Sequence, residues 1–142
     1  MEPIITSNSK VEIKSIERSS LKSIALNYNK IAVLVDENTK VLLPKITQTL
    51  QELSFHIIEV KSGEKEKNIE TCQLIWEQLI TLKIDRKSLL INLGGGVITD
   101  MGAFVASTYK RGIDFINIPT SLLSMVDASV GGKTGINFQG LK

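Results

Sequence analysis

Apolar residues along the chain fall into short runs, separated by stretches with a helical repeat. Residues 31–35 and 88–93 are nearly continuous apolar runs, a pattern typical of strands that a parallel sheet buries on both faces. Residues 55–60 and 113–118 predict two further strands. Residues 11–17 begin with an apolar–charged alternation, which predicts an early, half-exposed strand.

Helical spacing separates these strand patterns. Residues 42–53 predict a helix in which Pro44 is tolerable only in the first turn. Residues 97–109 predict another helix, and residues 120–126 a short apolar one. The clearest stripe of the chain, at helical spacing, consists of Ile69, Cys72, Ile75, Trp76, Leu79 and Leu82.

Strands that alternate with helices through short connections predict a three-layer, Rossmann-like α/β fold with a mainly parallel sheet. We expect residues 1–142 to form a single domain of this kind. The unusual polar and glycine positions all follow predicted strands: Asp36, residues 94–96, and Thr120 with Ser121. Ligands of such sheets bind beyond the carboxyl ends of the strands, so we expect a binding site at that edge.

The composition narrows the functional classes. A net charge of +2 gives no argument for nucleic-acid binding, and no apolar run approaches the roughly 18 residues of a membrane span. The N-terminus lacks the features of a secretory signal, and the single cysteine, Cys72, allows no internal disulfide. We therefore expect a cytoplasmic protein. Because His56 is the only histidine, this chain cannot build a tight zinc site from His and Cys ligands.

The run Gly94-Gly95-Gly96 leads from a predicted strand into a predicted helix. Glycines at a helix N-terminus let a pyrophosphate approach the backbone N–H groups, but a tight turn alone could also require them. The dinucleotide fingerprint fails by one residue, because Thr99 stands where the third glycine is needed. Asp100, in the first helical turn, either compensates the helix dipole or contacts a hydroxyl or amide of a ligand.

The segment from Asp127 to Thr134 ends in Gly-Lys-Thr, as the phosphate-binding loop of nucleotide triphosphatases does. Asp127 stands where that motif requires glycine, and the segment follows a helix pattern rather than a strand, so the match is weak. Lys133 either holds a phosphate or is solvated. Arg111, between a helix and a strand, suits a phosphate or carboxylate, and Asp36 suits either a ribose hydroxyl or a helix cap.

Residues 94–142 together resemble the 3-dehydroquinate synthase family. The most specific stretch is Val-Asp-Ala-Ser-Val-Gly-Gly-Lys-Thr at residues 126–134, and the resemblance extends back through residues 63–76 to residues 36–38. It implies an N-terminal α/β domain that binds NAD and a C-terminal helical domain that binds a divalent metal, zinc or cobalt. It also implies that the metal ligands, one Glu and two His, lie beyond residue 142, so that this chain is a truncated, inactive part of a homodimeric enzyme.

The implied reaction converts the sugar phosphate 3-deoxy-D-arabino-heptulosonate 7-phosphate into 3-dehydroquinate and phosphate, in the shikimate pathway, with catalytic use of NAD. Catalytic roles are implied for Asp127, Lys133 and Arg111, the last across the dimer interface. The implied cofactor contacts are Asp36, Glu37, Asn38, Gly63, Glu64, Lys67, Gly95, Gly96, Val97, Asp100, Thr120, Ser121, Lys133 and Lys142.

Three positions depart from the family pattern: Ser62 replaces a common Asp, Thr99 a usual Gly, and Ser121 a usual Thr. We expect Ser121 to be a mild change because it keeps the hydroxyl, and Thr99 to require a small backbone adjustment. Other interpretations remain open: a related cyclase such as 2-deoxy-scyllo-inosose synthase, a glycerol-type dehydrogenase, a nucleotide-triphosphate-binding module, or a non-catalytic interaction domain. The dehydrogenases lack the pattern of Asp127 and Lys133.

Overall fold

The computed structural model describes residues 4–5, 10–11, 18–130 and 134–142. Two short strands, β1 (Ile4–Ile5) and β2 (Lys10–Val11), pair antiparallel. The main sheet contains β3 (Ile31–Asp36), β4 (Phe55–Val60), β5 (Leu89–Gly94) and β6 (Asp114–Pro119). The helices are α1 (Arg18–Ala25), α2 (Leu43–Leu50), α3 (Ile69–Thr81) and α4 (Gly96–Thr108).

The main sheet has the strand order β4-β3-β5-β6, and every neighbouring pair is parallel. Ile31 of β3 is paired with Phe55 on one side and Leu89 on the other, and Leu89 is in turn paired with Asp114. The amino ends of the four strands therefore lie at one edge and the carboxyl ends at the other. The predicted parallel α/β fold is confirmed.

The core lies on both faces of the sheet because β3 and β5 are buried along their whole length. Ala32 and Leu34 of β3 pack into one apolar cluster with residues of α3 and α4. Their neighbours Ile31, Val33 and Val35 pack into the second cluster, with residues of α1 and α2. This alternation follows from the period of two in a strand, and it confirms the predicted three layers.

Helix α3 shows how the local sequence determines an element. Asn68 caps its N-terminus, since its side-chain oxygen accepts a hydrogen bond of 2.8 Å from the N–H of Thr71. Cys72, Ile75 and Leu79 are fully buried in the core, as their stripe predicted. Trp76, on the same stripe, packs at the edge of this cluster.

Three sequence predictions differ from the structure. Of the early strand over residues 11–17, Val11 lies in β2, and residues 12–17 lie outside the described residues. The helix over residues 42–53 is shorter, because a 3-10 turn (Thr39–Leu42) precedes α2 and the helix ends at Leu50. The apolar helix predicted over residues 120–126 is present but shifted and mixed in type: residues 122–123 are α-helical, and Ser124–Ala128 form a π-helical turn, in which the N–H of Ser129 donates to the carbonyl of Ser124 at 2.9 Å.

The chain reverses direction across the sheet between β3 and β5. From β3 it moves outward to β4 through α2 on one face, and from β5 it moves outward to β6 through α4 on the other face. The two connections diverge at the carboxyl edge, so the strand ends leave a crevice between them. Among the described residues, no helix combines the length and apolar character that crossing a membrane requires.

The cysteine gives a test of this core. Cys72 is fully buried, and burial raises the pKa of its thiol to about 12. The reactive thiolate is therefore scarce at neutral pH, and we expect the folded chain to resist a thiol reagent at mildly alkaline pH, whereas the chain unfolded in guanidinium reacts at once. Equally fast reaction of the folded chain, followed by absorbance, would contradict the buried position.

Candidate functional site

A cleft of about 780 Å³ opens at the carboxyl edge of the sheet, beside the point where the chain reverses direction. It is formed by the loop after β4, the start of α4, the π-helical turn and the last residues of the chain. Its lining residues are Glu64, Lys67, Gly96, Val97, Asp100, Leu123, Asp127, Ala128, Asn137, Gly140 and Lys142.

The glycines after β5 have different reasons to be glycine. A Cβ on Gly94 would lie 2.5 Å from the Cβ of Ile98, so packing excludes a side chain there. A Cβ on Gly95 would first meet the Oγ of Ser121 at 3.5 Å, and one on Gly96 the Cβ of Ala128 at 3.8 Å, which are ordinary contact distances. None of the three has a positive φ, so among the described residues only the packing around Gly94 requires glycine.

The bare backbone of Gly95 and Gly96 stands at the N-terminus of α4, where Gly95 is the extended cap residue. The first N–H groups of a helix have no partner within the helix, and the helix dipole makes this end positive. Gly96 and Val97 both line the cleft. The arrangement can bind an anionic group closely through backbone N–H groups.

Thr99, the departure from the glycine fingerprint, does not face the cleft. It is fully buried, and its hydroxyl donates to the carbonyl oxygens of Gly95 at 3.2 Å and Gly96 at 3.3 Å. Its N–H also makes the helical hydrogen bond to Gly95 at 3.0 Å. Thr99 therefore stabilises the first turn of α4 through the carbonyl groups of the two glycines and does not line the cleft.

The hydroxyl residues after β6 lie beside the same turn. The N–H of Thr120 donates to the carbonyl of Gly94 at 3.0 Å, which ties the end of β6 to the end of β5. Ser121 is the nearest neighbour of a Cβ placed on Gly95, and its hydroxyl lies 2.9 Å from that of buried Ser124. The structure thus places both predicted residues next to the glycine turn, although neither is among the lining residues of the cleft.

The wall of the cleft between the β4 loop and α4 contains an ion pair. The Nζ of Lys67 lies 2.5 Å from Oδ2 of Asp100, and the two side chains are 8% and 24% exposed. Lys67 follows a 3-10 turn (Glu64–Glu66) that begins at Gly63, whose φ of 111° favours glycine. Two residues that the sequence placed near the cofactor therefore neutralise each other at the cleft.

The π-helical turn carries Asp127 to the cleft, and the Cβ of the neighbouring Ala128 lies 3.8 Å from the position that a Cβ on Gly96 would take. Lys142, the last residue of the chain, also lines the cleft. Lys133, the other predicted active-site cation, lies outside the described residues, as do Gly131 and Gly132. Asp127 and the glycine turn thus share one cleft, and the position of Lys133 relative to them stays a prediction.

The side chain of Asp36, at the end of β3, is hydrogen-bonded within its own turn. Oδ1 of Asp36 accepts hydrogen bonds from the N–H groups of Asn38 at 2.9 Å and Thr39 at 2.8 Å, and from the Thr39 hydroxyl at 3.1 Å. Asp36 therefore organises the 3-10 turn before α2, which is the capping role that the sequence left open. Glu37 and Asn38 are exposed at the same edge, and none of the three lines the described cleft.

Arg111 lies at the opposite edge of the sheet, in a 3-10 turn (Tyr109–Arg111) that precedes the amino end of β6. It is exposed, and both Lys110 and Arg111 have positive φ angles, of 48° and 69°. Within one chain, Arg111 therefore does not reach the cleft.

Sequence reasoning missed Asn137. Its side-chain amide donates to Oε1 of Glu64 at 2.9 Å, and its backbone N–H donates to the carbonyl of Lys67 at 2.8 Å. Leu123, Ala128 and Gly140 were also not predicted to line the cleft. The partners of Asn137 are about 70 positions away in sequence, so no local pattern could have indicated it.

Within the part of the chain that the structure describes, no group of three or more His, Cys, Asp or Glu side chains is arranged to hold a metal ion. His56 lies in β4, half-buried in the sheet.

The ion pair at the cleft gives an asymmetric prediction for stability. Asp100→Ala leaves the buried ammonium of Lys67 without a partner, whereas Lys67→Met leaves a carboxylate that is partly exposed and can be hydrated. We expect Asp100→Ala to lower the free energy of unfolding by about 1–3 kcal/mol, and Lys67→Met by less than about 1 kcal/mol. Urea denaturation measures both, and a larger loss for Lys67→Met would contradict the burial described here.

Comparison with known protein families gives a match to one family model, described as 3-dehydroquinate synthase N-terminal, over residues 57–142. Among curated relatives, the 3-dehydroquinate synthase of Campylobacter curvus (strain 525.92) is 49% identical over 128 residues, which cover 89% of this chain and 35% of the relative. That of Pyrococcus abyssi (strain GE5 / Orsay) is 54% identical over 125 residues, covering 86% and 37%. The chain thus spans about a third of the length of these relatives.

Solved structures share the backbone arrangement. A 2-deoxy-scyllo-inosose synthase in complex with carbaglucose-6-phosphate, NAD+ and Co2+ has a TM-score of 0.79 at 22% identity, over 86% of this chain and 35% of that one. A 2-epi-5-epi-valiolone synthase from Streptomyces hygroscopicus subsp. jinggangensis 5008, with NAD+ and Zn2+ bound, has a TM-score of 0.74 at 25% identity, over 96% and 40%. A glycerol dehydrogenase from Schizosaccharomyces pombe is less similar, with a TM-score of 0.53 at 18% identity, over 72% and 25%.

The family match covers more than half of the chain, and it includes the β4 loop, the glycine turn, the π-helical turn and residues 134–142, which together form the cleft. The chain therefore belongs to the 3-dehydroquinate synthase family, of which it contains the N-terminal domain.

Proposed function

We propose that this chain is the NAD-binding part of a 3-dehydroquinate synthase, the enzyme that converts 3-deoxy-D-arabino-heptulosonate 7-phosphate into 3-dehydroquinate and phosphate. The observation that carries the proposal is the pair of glycines, Gly95 and Gly96, at positions where the packing of the described residues would admit a Cβ. They lie at a helix N-terminus beside the cleft that Asp127 and Lys142 also line. The family membership supports the same conclusion.

The cleft fits a dinucleotide, because the backbone at Gly95 and Gly96 is open to a closely bound pyrophosphate. NAD bound there would accept a hydride from a substrate hydroxyl and later return it. In this proposal the N–H groups of Gly96 and Val97 bind the pyrophosphate. A carboxylate repels phosphate, so Glu64 and Asp100 accept hydrogen bonds from hydroxyl or amide groups of the cofactor. Thr120 and Ser121 offer hydroxyl groups on the other side of the turn.

Two lysines line the cleft, and they differ in how much positive charge they offer to an anionic cofactor. Lys67 is already paired with Asp100, so it contributes little free positive charge. Lys142 is exposed at the cleft and is available to attract an anionic cofactor. Oδ1 of Asp36 accepts hydrogen bonds within its own turn, so in our proposal Asp36 contacts a ribose hydroxyl through its second oxygen, Oδ2, with Glu37 and Asn38 nearby.

We assign the substrate to the Asp127 side of the cleft. Asp127 lines the cleft and makes no side-chain hydrogen bond to another described residue, so in our proposal it accepts a proton or a hydrogen bond from a substrate hydroxyl. Lys133 is proposed to hold the substrate together with it. Since Arg111 lies at the far edge of its own sheet, we propose that it binds the substrate phosphate of the partner subunit in a homodimer.

The divalent metal that the family resemblance implies does not fit the described residues, which lack a suitable group of ligands. We therefore assign no step of the reaction here to it. A related sugar-phosphate cyclase is the second candidate, because the backbone of 2-deoxy-scyllo-inosose synthase superposes with a TM-score of 0.79. The sequence identity of 49% and 54% to two 3-dehydroquinate synthases favours the first proposal.

Calorimetric titration with NAD tests the cofactor assignment. We expect the chain to bind NAD in preference to ATP with Mg²⁺, and Gly96→Ala to weaken NAD binding about tenfold or more, that is by about 1.4 kcal/mol, because the new Cβ occupies the pyrophosphate surface. The melting temperature of Gly96→Ala should stay close to that of the parent chain. Gly94→Ala is the matched contrast, since its Cβ would collide with Ile98 and lower the melting temperature. A preference for ATP would overturn the proposal.

Phosphate release from 3-deoxy-D-arabino-heptulosonate 7-phosphate tests the reaction. The chain spans only about a third of its relatives' length, so we expect these 142 residues alone to release no phosphate, with or without added NAD and zinc. A full-length relative serves as the positive control. Turnover of the 142-residue chain at a rate comparable to that control would show that the described domain is sufficient, contrary to the proposal.

A further inference from the structure

Residues 134–142, here called the C-terminal segment, complete the cleft although little of the segment is buried. Phe138 and Leu141 are 56% and 74% exposed and bond mainly to each other, through a local bridge. Ile136 packs at the edge of the core. The segment nevertheless contributes Asn137, Gly140 and Lys142 to the lining of the cleft.

Asn137 makes the hydrogen bonds that attach this segment to the rest of the described chain. Its side-chain Nδ2 donates to Oε1 of Glu64 at 2.9 Å. Its backbone N–H donates to the carbonyl of Lys67 at 2.8 Å. Both partners belong to the loop after β4, and the ammonium of Lys67 continues the connection to Asp100 of α4.

A substitution at residue 137 can remove the side-chain hydrogen bond to Glu64, whereas the backbone hydrogen bond to Lys67 does not depend on the side chain. The acceptor is a carboxylate, and hydrogen bonds to ionised groups are stronger than those between neutral groups. Aspartate at this position would lose the donor and face Glu64 with a second negative charge. A substitution at residue 137 should therefore act on the position of residues 138–142 while leaving the core of the sheet intact.

We propose that Asn137 is a positioning residue, which holds the C-terminal segment against the β4 loop so that Lys142 stays at the cleft when the cofactor binds. The inference rests on the proposed function as far as the cofactor is concerned. The attachment itself is a property of the chain without any ligand. Glu64 thereby has a second role: its carboxylate accepts the hydrogen bond that holds the C-terminal segment at the cleft.

Amide hydrogen exchange without any ligand tests the attachment. We expect Asn137→Asp to raise the exchange rates at residues 137 and 141 about tenfold or more, a change of about 1.4 kcal/mol in local opening. The double substitution Glu64→Gln with Asn137→Asp exchanges donor and acceptor, since the new amide can donate to the new carboxylate, and it should restore much of the protection. Gln139→Asn, on the same segment but outside the cleft lining, is the matched control and should leave exchange unchanged.

Unchanged protection in Asn137→Asp, or no recovery in the double variant, would overturn the attachment. The melting temperature of each variant shows whether the core of the sheet is unaffected.

A double-mutant cycle with NAD tests the consequence for Lys142. We expect Lys142→Met to weaken NAD binding in the parent chain, and to have little further effect once Asn137→Asp is present, because the released segment no longer holds Lys142 in place. Additive losses would contradict the positioning role. If the parent chain binds no NAD, the proposed function fails, and the exchange measurement then decides on the attachment alone.

Discussion

The divergence of two connections at one edge of the sheet determines where everything else can lie. The chain leaves β3 and β5, which are hydrogen-bonded neighbours, toward opposite faces, through α2 and α4. Two loops that separate in this way cannot fill the space between them, and a parallel sheet aligns all its carboxyl ends along that space. The start of α4 stands directly beside it. The described cleft lies at the same edge, between the start of α4, the β4 loop, the π-helical turn and the C-terminal segment, and none of the residues directly after β3 lines it.

The glycine turn shows how a structural and a functional requirement can be separated within three consecutive residues. Gly94 has no room for a side chain, because Ile98 fills the position that its Cβ would take. Gly95 and Gly96 have both room and an ordinary backbone conformation. The described residues give no packing reason for glycine at these two positions, and a closely bound anion at the helix N-terminus supplies one.

Most of the fold could be predicted because each strand and helix has its own pattern of apolar residues within a short stretch of sequence. The strand over residues 55–60 has the predicted bounds, and the stripe of α3 is buried as its spacing indicates. A helix was predicted here, but not its π-helical geometry over Ser124–Ala128: the apolar residues Met125 and Val126 of this turn are 49% and 67% exposed, so their pattern does not reflect packing in the core. The sequence position of Asp36 suits both a cap and a ligand contact, and only its hydrogen bonds to Asn38 and Thr39 identify the cap. Asn137 pairs across 73 positions with Glu64, which leaves no signal in the local sequence.

The central claim is that the open turn at Gly95 and Gly96 binds the phosphates of NAD in the same cleft as Asp127. Nuclear magnetic resonance of the ¹⁵N-labelled chain tests it most directly, because backbone N–H shifts report the contacts themselves. On addition of NAD, the largest shift changes are expected at Gly95, Gly96 and Val97, with smaller ones at Asp100 and Asp127. Changes confined to the opposite edge of the sheet, or none at these residues when NAD is saturating, would contradict the account.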